Sequence, residues 1–251
     1  MASGRELQPL AGKSALIVGA SGGIGSAAAL LLAKAGAQVI LSGRNTERLE
    51  TLASQIEFAA GGEIPIVAAD LTDAAQVSQM VQQAAEQHGD GKLDIVVNAA
   101  GVGAIKSIES LTPADFQTLL AVNLYGAMLV SQAAVRVMAP QKFGHILHVV
   151  GILGKAPMAN ASAYCASKYG LSGFLAALRA EVSRRYSIKV TGLYLGGVDT
   201  PFYDNPAIEM KVQRDKMLSA GDAAEAILYA LTQPAHLVMG ELTLQPESHQ
   251  L

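Results

Sequence analysis

The sequence predicts an α/β fold in which a doubly wound, seven-stranded parallel sheet carries helices on both faces. Short Val-, Ile- and Leu-rich runs alternate with helical segments along all 251 residues. Most of these runs are apolar throughout, as in parallel strands that are covered on both faces. No Pro/Ser-rich linker divides the chain and no repeat period appears. We therefore expect residues 1–251 to form a single domain.

Seven strands and six helices make up this prediction. The strands are expected at residues 14–18, 38–41, 64–68, 93–97, 145–150, 189–195 and 237–242. The helices are expected at residues 24–35, 46–59, 74–87, 113–138, 163–186 and 223–232. The fourth helix carries a strong start signal, because Thr112 is followed by Pro113 and then by the acidic Asp115.

Composition and charge narrow the classes of function. Hydrophobic residues make up 51% of the chain, and the net charge is −3 with no basic block. Nucleic acid is therefore not an expected partner. Gly, Ser or a charge interrupts each apolar run before 18 residues, which predicts no membrane span. Residues 1–9 lack the apolar core of a signal peptide, so a cytoplasmic location is expected.

Two of the predicted helices, 113–138 and 163–186, carry apolar residues around much of their circumference. Such a helix needs cover on both sides, whereas a sheet covers only one side. We therefore expect a homodimer or homotetramer formed through these two helices. Burial under a loop of the same chain is the alternative.

The first predicted strand leads directly into a glycine-rich turn at residues 19–25 and then into a helix. Glycines let backbone N–H groups approach a pyrophosphate at a helix N-terminus. The spacing Gly-x-x-x-Gly-x-Gly differs from the commoner dinucleotide fingerprint, but its position predicts a phosphate site in a Rossmann-type sheet. A plain turn is the alternative. The candidate phosphate-binding residues are Gly19, Ser21, Gly22, Gly23, Ile24 and Gly25.

The end of the second predicted strand indicates which dinucleotide is bound. An acid there would accept a hydrogen bond from the ribose 2′-hydroxyl of NAD, but the chain has Gly43 followed by Arg44. The planar guanidinium of arginine suits a 2′-phosphate, so NADP(H) is the predicted cofactor. A solvated surface arginine is the alternative. Asp70 and residues 98–101 follow the third and fourth strands, at the sheet edge where ligands bind.

Tyr164 and Lys168 stand four residues apart near the start of a predicted helix. This spacing places both side chains on one helix face. A neighbouring cation lowers the pKa of a tyrosine, so the pair could exchange a proton with a substrate oxygen near neutral pH. Because Tyr-x-x-x-Lys is also common on solvated helix surfaces, the pattern alone is a weak signal.

The other reactive side chains predict no competing site. His145 and His148 lie three residues apart on a predicted strand and therefore point to opposite faces. The remaining histidines are isolated, so no metal site is predicted. Cys165 lacks a Cys-His pattern and is expected to be a small buried thiol.

Together these motifs resemble the classical short-chain dehydrogenase/reductase family over essentially the full length of the chain. The matching positions are the turn 19–25, Asp70, residues 98–101, Asn123, Tyr164, Lys168 and residues 197–200. Residues 221–234 look like the branch of NADP-dependent 3-hydroxy-acid and related alcohol dehydrogenases. The resemblance implies an NADP(H)-dependent oxidoreductase that interconverts a carbonyl and a secondary alcohol of a small molecule by hydride transfer.

The resemblance also implies a role for each matching residue. Tyr164 would donate a proton in reduction and accept one in oxidation. Lys168 would hold the nicotinamide ribose and lower the tyrosine pKa, while Asn123 would anchor a water that relays protons to Lys168. The other implied cofactor contacts are Asp70 and Leu71 at the adenine, Asn98 by the adenosine ribose, Val198 and Thr200 near the carboxamide, and Ala99, Gly101 and Gly197 beside them.

One departure from the family pattern concerns catalysis directly. The family places a serine thirteen residues before the tyrosine, whereas this chain has Gly151. Loss of one hydrogen-bond donor to a developing oxyanion costs about 100- to 1000-fold in rate. A backbone N–H, a water or Ser162 could compensate, although Ser162 is also a candidate helix cap. Two functions therefore stay open: a working enzyme, and a cofactor-binding protein with weak or no catalysis.

The segment 201–217 is the expected substrate lid. It lies between the sixth predicted strand and the last helix, and it mixes aromatic and apolar residues with several charges. Its composition does not name the substrate.

Overall fold

The computed structural model describes residues 8–87 and 91–248. Within them, six parallel strands form one sheet in the order β2-β1-β3-β4-β5-β6. The strands are β1 Ser14–Val18, β2 Gln38–Ser42, β3 Ile95–Asn98, β4 Gly144–Val149, β5 Ile188–Leu195 and β6 Glu241–Leu244. The strand order changes direction between β1 and β3, which creates the crevice where open α/β sheets bind ligands.

The predicted doubly wound α/β fold is confirmed, but the expected count of seven strands is wrong for the described residues. Residues 64–68 run beside β2 and form a single bridge, between Leu41 and Ile66. The backbone N–H of Val67 donates to the carbonyl of Leu41, and that of Leu41 donates to the carbonyl of Pro65. Pro65 has no N–H to donate, which limits the pairing at this edge.

In the described part of the chain, seven α-helices cover the two faces of the sheet. They are α1 Gly23–Lys34, α2 Thr46–Ala60, α3 Ala74–Glu86, α4 Pro113–Leu120, α5 Ala127–Gln141, α6 Ser162–Tyr186 and α7 Ala220–Leu231. Alternate strand residues face opposite layers, as the period of two requires. Ala15 and Ile17 pack with α1, α2 and α7, whereas Leu16 and Val18 pack with α3, α5 and α6.

The predicted helix 113–138 is interrupted by a π-helical turn, Ala121–Gly126, between α4 and α5. Such turns often mark functional positions in helices, and this one carries the buried Asn123. The Thr112–Asp115 capping box at the start of α4 is present. By length and composition the whole helix Pro113–Gln141 could cross a membrane, but 44% of its apolar window is buried inside the molecule. A core helix passes the same test.

Candidate active site

A cavity of about 770 Å³ opens at the carboxyl ends of the central strands. A smaller one of about 150 Å³ shares part of its lining, including Ser21, Arg44 and Gly101. Together these cavities bring most of the predicted site residues to one place. Those that line one or both are Gly19, Ser21, Gly22, Gly23, Ile24, Arg44, Asp70, Leu71, Ala99, Gly101, Gly151, Tyr164, Lys168, Gly197, Val198 and Thr200.

The glycine turn is packed so closely that side chains would not fit at three of its positions. Gly19 has a φ of +79°, and a Cβ there would lie 2.6 Å from the backbone nitrogen of Ala100. A Cβ on Gly25 would overlap the carbonyl oxygen of Gly19, and one on Gly23 would meet Thr200. At Gly22, by contrast, the space is open apart from one ordinary contact. The turn therefore presents bare backbone to the cavity.

Two arginines lie at the rim of the larger cavity, on the side of the glycine turn. Arg44 was predicted, whereas Arg48 was missed. Arg48 stands at the start of α2, where the Asn45 side chain caps its backbone N–H at 2.9 Å. The sequence signal for this position is the helix cap at Asn45. A cap there puts Arg48 on the first turn of the helix, and therefore close to Arg44. Both side chains are exposed.

Asp70 and Leu71 line the smaller cavity, beside Arg44 and Gly43. The Asp70 carboxylate accepts hydrogen bonds from the backbone N–H of Thr72 at 2.9 Å and from its hydroxyl at 2.8 Å. These two bonds hold the pKa of Asp70 below its usual value, and the charge of Arg44 adds to the effect. The carboxylate is therefore an ionised acceptor at neutral pH.

Asn98 is buried beneath the cavity and does not line it, which differs from the expected position by a ribose. Its side-chain oxygen accepts from the Ala100 N–H at 3.1 Å, and its amide nitrogen lies 3.2 Å from His148 Nδ1. Asn98 therefore supports the loop 99–101 from below. Sequence reasoning assigned no role to its partner His148.

The bonding around His148 defines which ring nitrogen carries the proton. An amide nitrogen can only donate, so Nδ1 accepts from Asn98. The other nitrogen, Nε2, lies 2.8 Å from the Ser131 hydroxyl, which donates its own proton to the Ala127 carbonyl. Nε2 must then be the donor. Burial, together with the charge of Lys168, lowers the pKa of His148 to about 3, so the ring is neutral.

Tyr164 and Lys168 lie on the first two turns of α6 and face the larger cavity. The Lys168 Nζ atom is 5.6 Å from the centre of the Tyr164 ring. A Cβ placed on Gly101 would lie 3.6 Å from Lys168 Nζ and 3.4 Å from Asn123 Oδ1. Lys168 and Asn123 therefore both approach Gly101, but only Tyr164 and Lys168 line the cavity, whereas Asn123 lies outside its lining.

Asn123 is fully engaged with neighbouring groups. Its oxygen accepts from the Val102 N–H at 2.9 Å, and its nitrogen donates to the Val102 carbonyl at 2.9 Å and to the Ser167 hydroxyl at 3.1 Å. These bonds tie the π-helical turn to the loop after β3 and to α6. The side chain of Asn123 thus holds three elements in register around Lys168.

Burial dominates the protonation of the Tyr164–Lys168 pair. It raises the pKa of Tyr164 above the ordinary value, and neighbouring Tyr203 and Cys165 add to the rise. It also lowers the pKa of Lys168 to about 8. The predicted lowering of the tyrosine pKa by Lys168 is therefore not found, because removal from water disfavours both charged forms. Tyr164 is a neutral proton donor in this environment.

Gly151 stands opposite Tyr164 in a conformation that suits glycine. Its φ is +91°, and a Cβ there would lie 4.0 Å from the Tyr164 hydroxyl oxygen and 3.9 Å from the Leu195 carbonyl oxygen. The slot is therefore adjacent to the tyrosine. Ser162 does not replace the missing hydroxyl in the cavity lining, and it is not a cap either, because Ala161 is the N-cap residue of α6.

The lid 201–217 is tied to the loop after β3. Ile105 and Ile208 form a bridge, with the Ile105 N–H donating to the Ala207 carbonyl at 2.8 Å. The Asn205 side chain donates to the Gly103 carbonyl at 3.1 Å. Phe202 packs so closely on Gly103 that a Cβ would not fit there. The lid therefore forms a fixed wall of the cavity in this structure.

A doubly wound parallel sheet with a bare glycine turn at its switch point defines a dinucleotide-binding α/β domain of the Rossmann type. The sequence comparison is more specific, because residues 13–209 match the model of the family described as short chain dehydrogenase. The chain belongs to the short-chain dehydrogenase family, whose members are oxidoreductases.

Individual relatives agree with this assignment. An uncharacterized oxidoreductase of Staphylococcus epidermidis is 33% identical over 234 residues, which cover 93% of this chain and 97% of the relative. An alcohol dehydrogenase from the archaeon Thermococcus sibiricus, complexed with 5-hydroxy-NADP, superposes with a TM-score of 0.85 at 26% identity. A metagenomic short-chain oxidoreductase in complex with NADP gives a TM-score of 0.81 at 30% identity. Each match covers 95% of this chain and 98% of the neighbour.

Proposed function

We propose that this protein is an NADP(H)-dependent oxidoreductase that interconverts a carbonyl and a secondary alcohol, with Tyr164 as the acid and base. The observation that carries the proposal is that one cavity contains the bare glycine turn, the arginine rim and the Tyr164–Lys168 pair. A cavity of this kind can hold a dinucleotide at one end and a small substrate at the other.

The nucleotide half of the cavity consists of the turn 19–25, Arg44, Arg48, Asp70 with Leu71, and the loop 99–101. Its residues fit NADP(H). The turn offers backbone N–H groups at the start of α1 to a pyrophosphate, and the two arginines would meet a 2′-phosphate. Asp70 and Leu71 would meet the adenine, and Gly197, Val198 and Thr200 the carboxamide end. The NADP complexes of the two structural neighbours support this choice.

The substrate half consists of Gly151 to Leu153, Met158, Tyr164 and the lid 201–217. When bound, NADPH supplies a hydride to the carbonyl carbon. Tyr164 is held neutral by burial and faces the cavity, so it can transfer a proton to the carbonyl oxygen. Lys168, with a pKa lowered to about 8, can return a proton to Tyr164 near neutral pH. Asn123 orients Lys168 by fixing α6 against the loop after β3.

A cofactor-binding protein with weak or no catalysis is the second candidate, and Gly151 is the observation that favours it. The position has no hydroxyl, and its φ of +91° disfavours a side chain. The intact Tyr164, Lys168 and Asn123 favour the enzyme.

Exposed apolar and aromatic side chains on the two long helices are the observation behind the proposed assembly. Phe116, Leu120, Tyr125 and Tyr169 are between 38% and 49% exposed on the helix Pro113–Gln141 and on α6. These side chains would be covered in a homodimer or homotetramer. The proposed substrate is a small carbonyl compound or alcohol, and a cytoplasmic location without nucleic acid or membrane partners stays a prediction from the sequence.

The test is a screen of small ketones, keto esters and 3-hydroxy acids with NADPH or NADP⁺, read as the change in absorbance of the nicotinamide. We expect turnover with at least one carbonyl class and a loss of about 1000-fold in kcat with Tyr164→Phe. Tight NADPH binding without turnover on any compound would instead identify the cofactor-binding protein. Absence of NADPH binding would contradict both candidates.

A further inference from the structure

The substrate half has Gly151 where the family pattern places a serine hydroxyl beside the tyrosine. Tyr164 is present, but Gly151 has no side chain. A Cβ at position 151 would lie 4.0 Å from the Tyr164 hydroxyl oxygen. Carbonyl reduction develops negative charge on the carbonyl oxygen, and a second donor stabilises that charge. Another donor in the cavity lining could supply that second hydrogen bond.

Tyr203 is the side chain that meets this need. It lies on the lid, and its hydroxyl oxygen is 3.5 Å from the Cβ position of Gly197. The Cβ position of Gly151 is in turn 3.9 Å from the carbonyl oxygen of Leu195, two residues before Gly197. Tyr203, from the lid, and Gly151, after β4, therefore contact residues two positions apart in the chain, at and just after the end of β5.

The rings of the lid hold Tyr203 in place. Its ring packs edge-on against Phe202 with 5.2 Å between centroids, and the Phe202 ring lies 6.1 Å from that of Tyr164. Phe202 is itself fixed against Gly103. The three rings thus form a connected aromatic wall, and the two tyrosines stand at its ends. A donor on a rigid wall loses little freedom when a ligand binds.

The Tyr203 hydroxyl has no hydrogen-bond partner among the side chains and backbone groups of residues 8–87 and 91–248. The ring is half-buried and lines the larger cavity. A partly buried hydroxyl without a protein partner is costly unless water or a ligand accepts its proton. Burial raises the pKa of Tyr203, so its hydroxyl stays protonated and able to donate.

We propose that Tyr203 supplies the second hydrogen bond to the substrate's carbonyl oxygen, in place of the absent serine hydroxyl. Tyr164 transfers its proton to that oxygen, whereas Tyr203 keeps its proton and only donates a hydrogen bond. The proposal rests on the proposed function, because it assigns a donor within the same reaction. It also explains how the chain can function with glycine at position 151.

The test compares Tyr203→Phe, which removes only the hydroxyl, with the wild type on a carbonyl found in the screen. The matched control is Tyr229→Phe, which removes an exposed hydroxyl on α7, outside the cavity. We expect Tyr203→Phe to lower kcat about 100-fold, as for loss of one oxyanion donor, with NADPH affinity unchanged. The pH dependence of kcat should keep its shape, because Tyr203 gives up no proton. Tyr229→Phe should match the wild type.

A second pair of variants separates the effect of a hydroxyl at position 151 from the effect of backbone strain at that position. Gly151→Ser and Gly151→Ala carry the same strain at positive φ, but only serine restores a donor. In the Tyr203→Phe background we expect serine to exceed alanine about 10-fold in kcat, and in the wild type by much less. A Tyr203→Phe enzyme within about threefold of the wild type would overturn the role of Tyr203 alone. A wild type without turnover would overturn the proposed function, and the role of Tyr203 with it.

Discussion

The nucleotide half of the cavity is built from backbone, whereas the substrate half is built from side chains on a lid. In the first, Gly19, Gly23 and Gly25 leave no room for a Cβ because the turn packs on the loop 99–101 and on Thr200. In the second, Phe202 and Tyr203 come from a segment tied to the loop after β3 by a single bridge and a few hydrogen bonds.

The two halves therefore respond differently to substitution. At Gly19 and Gly25 an added Cβ would meet backbone atoms, and at Gly23 it would meet the Thr200 side chain, so these positions of the turn admit no side chain without a shift. Side chains on a loop can be exchanged with little cost to the fold, so function varies there.

Tyr164→Phe is expected to give the largest difference between the two halves, measured as the effect on kcat against the effect on NADPH affinity. Removing the proton donor should lower kcat about 1000-fold, within the range for loss of a general acid. NADPH affinity should stay within about threefold of the wild type, because the arginine rim and glycine turn are unchanged. Steady-state kinetics and fluorescence titration of NADPH measure the two effects. A parallel loss of NADPH affinity would show that the halves are coupled through the tyrosine.

Gly25→Ala should instead impair the nucleotide half of the cavity. Its methyl group would overlap the Gly19 carbonyl oxygen, so the turn must shift. We expect NADPH affinity to fall about 100-fold and the unfolding free energy to fall by about 1–3 kcal/mol, as for overpacking elsewhere. Gly173→Ala is the control, since nothing lies within 4 Å of its Cβ position on α6. Gly173→Ala should leave stability unchanged or raise it slightly. Equal losses of NADPH affinity and stability in Gly25→Ala and Gly173→Ala would refute the steric explanation.

A smaller effect is expected from the arginine rim, where side chains take part in the nucleotide half. Arg44→Ala and Arg48→Ala should each weaken NADPH binding about 10-fold while leaving NADH binding nearly unchanged, because each removes charge-assisted hydrogen bonds to the 2′-phosphate. The ratio of the two dissociation constants measures this preference. The exposed Arg184→Ala, on the last turn of α6, serves as the control. An unchanged ratio in Arg44→Ala would contradict its role.

The last prediction concerns stability rather than activity, at the buried support under the loop 99–101. His148 has a pKa of about 3 in the folded protein, below its ordinary 6.5. The unfolded chain therefore binds a proton that the folded protein does not, and this contribution to the unfolding free energy is lost as pH falls from 6.5 towards 3. His145, lowered to about 4, contributes in the same direction.

Denaturant unfolding between pH 4 and pH 7 measures this contribution. His148→Gln should reduce the pH dependence of the unfolding free energy relative to the wild type, whatever its cost at pH 7. The exposed His236→Gln should leave that dependence unchanged. Parallel curves for the wild type and His148→Gln would mean that the ring protonates in the folded state.

The sequence predicted the parts of the site that depend on local spacing. A glycine turn between a strand and a helix, an i,i+4 pair on a helix, and residues directly after strands all have positions defined by secondary structure alone. The fold class and the shared location of these residues followed from that. The alternation of apolar strands and helices leaves few other ways to cover a parallel sheet.

Interactions between distant segments were beyond sequence reasoning. Asn98 was expected beside the nucleotide. Its side chain is instead buried in the core, where it pairs with His148 of the neighbouring strand. Tyr203 lies 39 positions after Tyr164 in the chain, and only the docking of the lid brings the two rings onto one wall.

The sequence by itself thus determined the class of protein, the glycine turn and the candidate proton donor, because each depends on residues close together in the chain. The tertiary structure decided the burial that shifts the pKa values of Tyr164 and Lys168, and it placed Tyr203, the proposed second donor, in the cavity lining. Both depend on burial and on contacts across elements that no spacing pattern contains. Desolvation is a property of the assembled cavity, and it reverses the pKa shift that the isolated Tyr164–Lys168 spacing predicts.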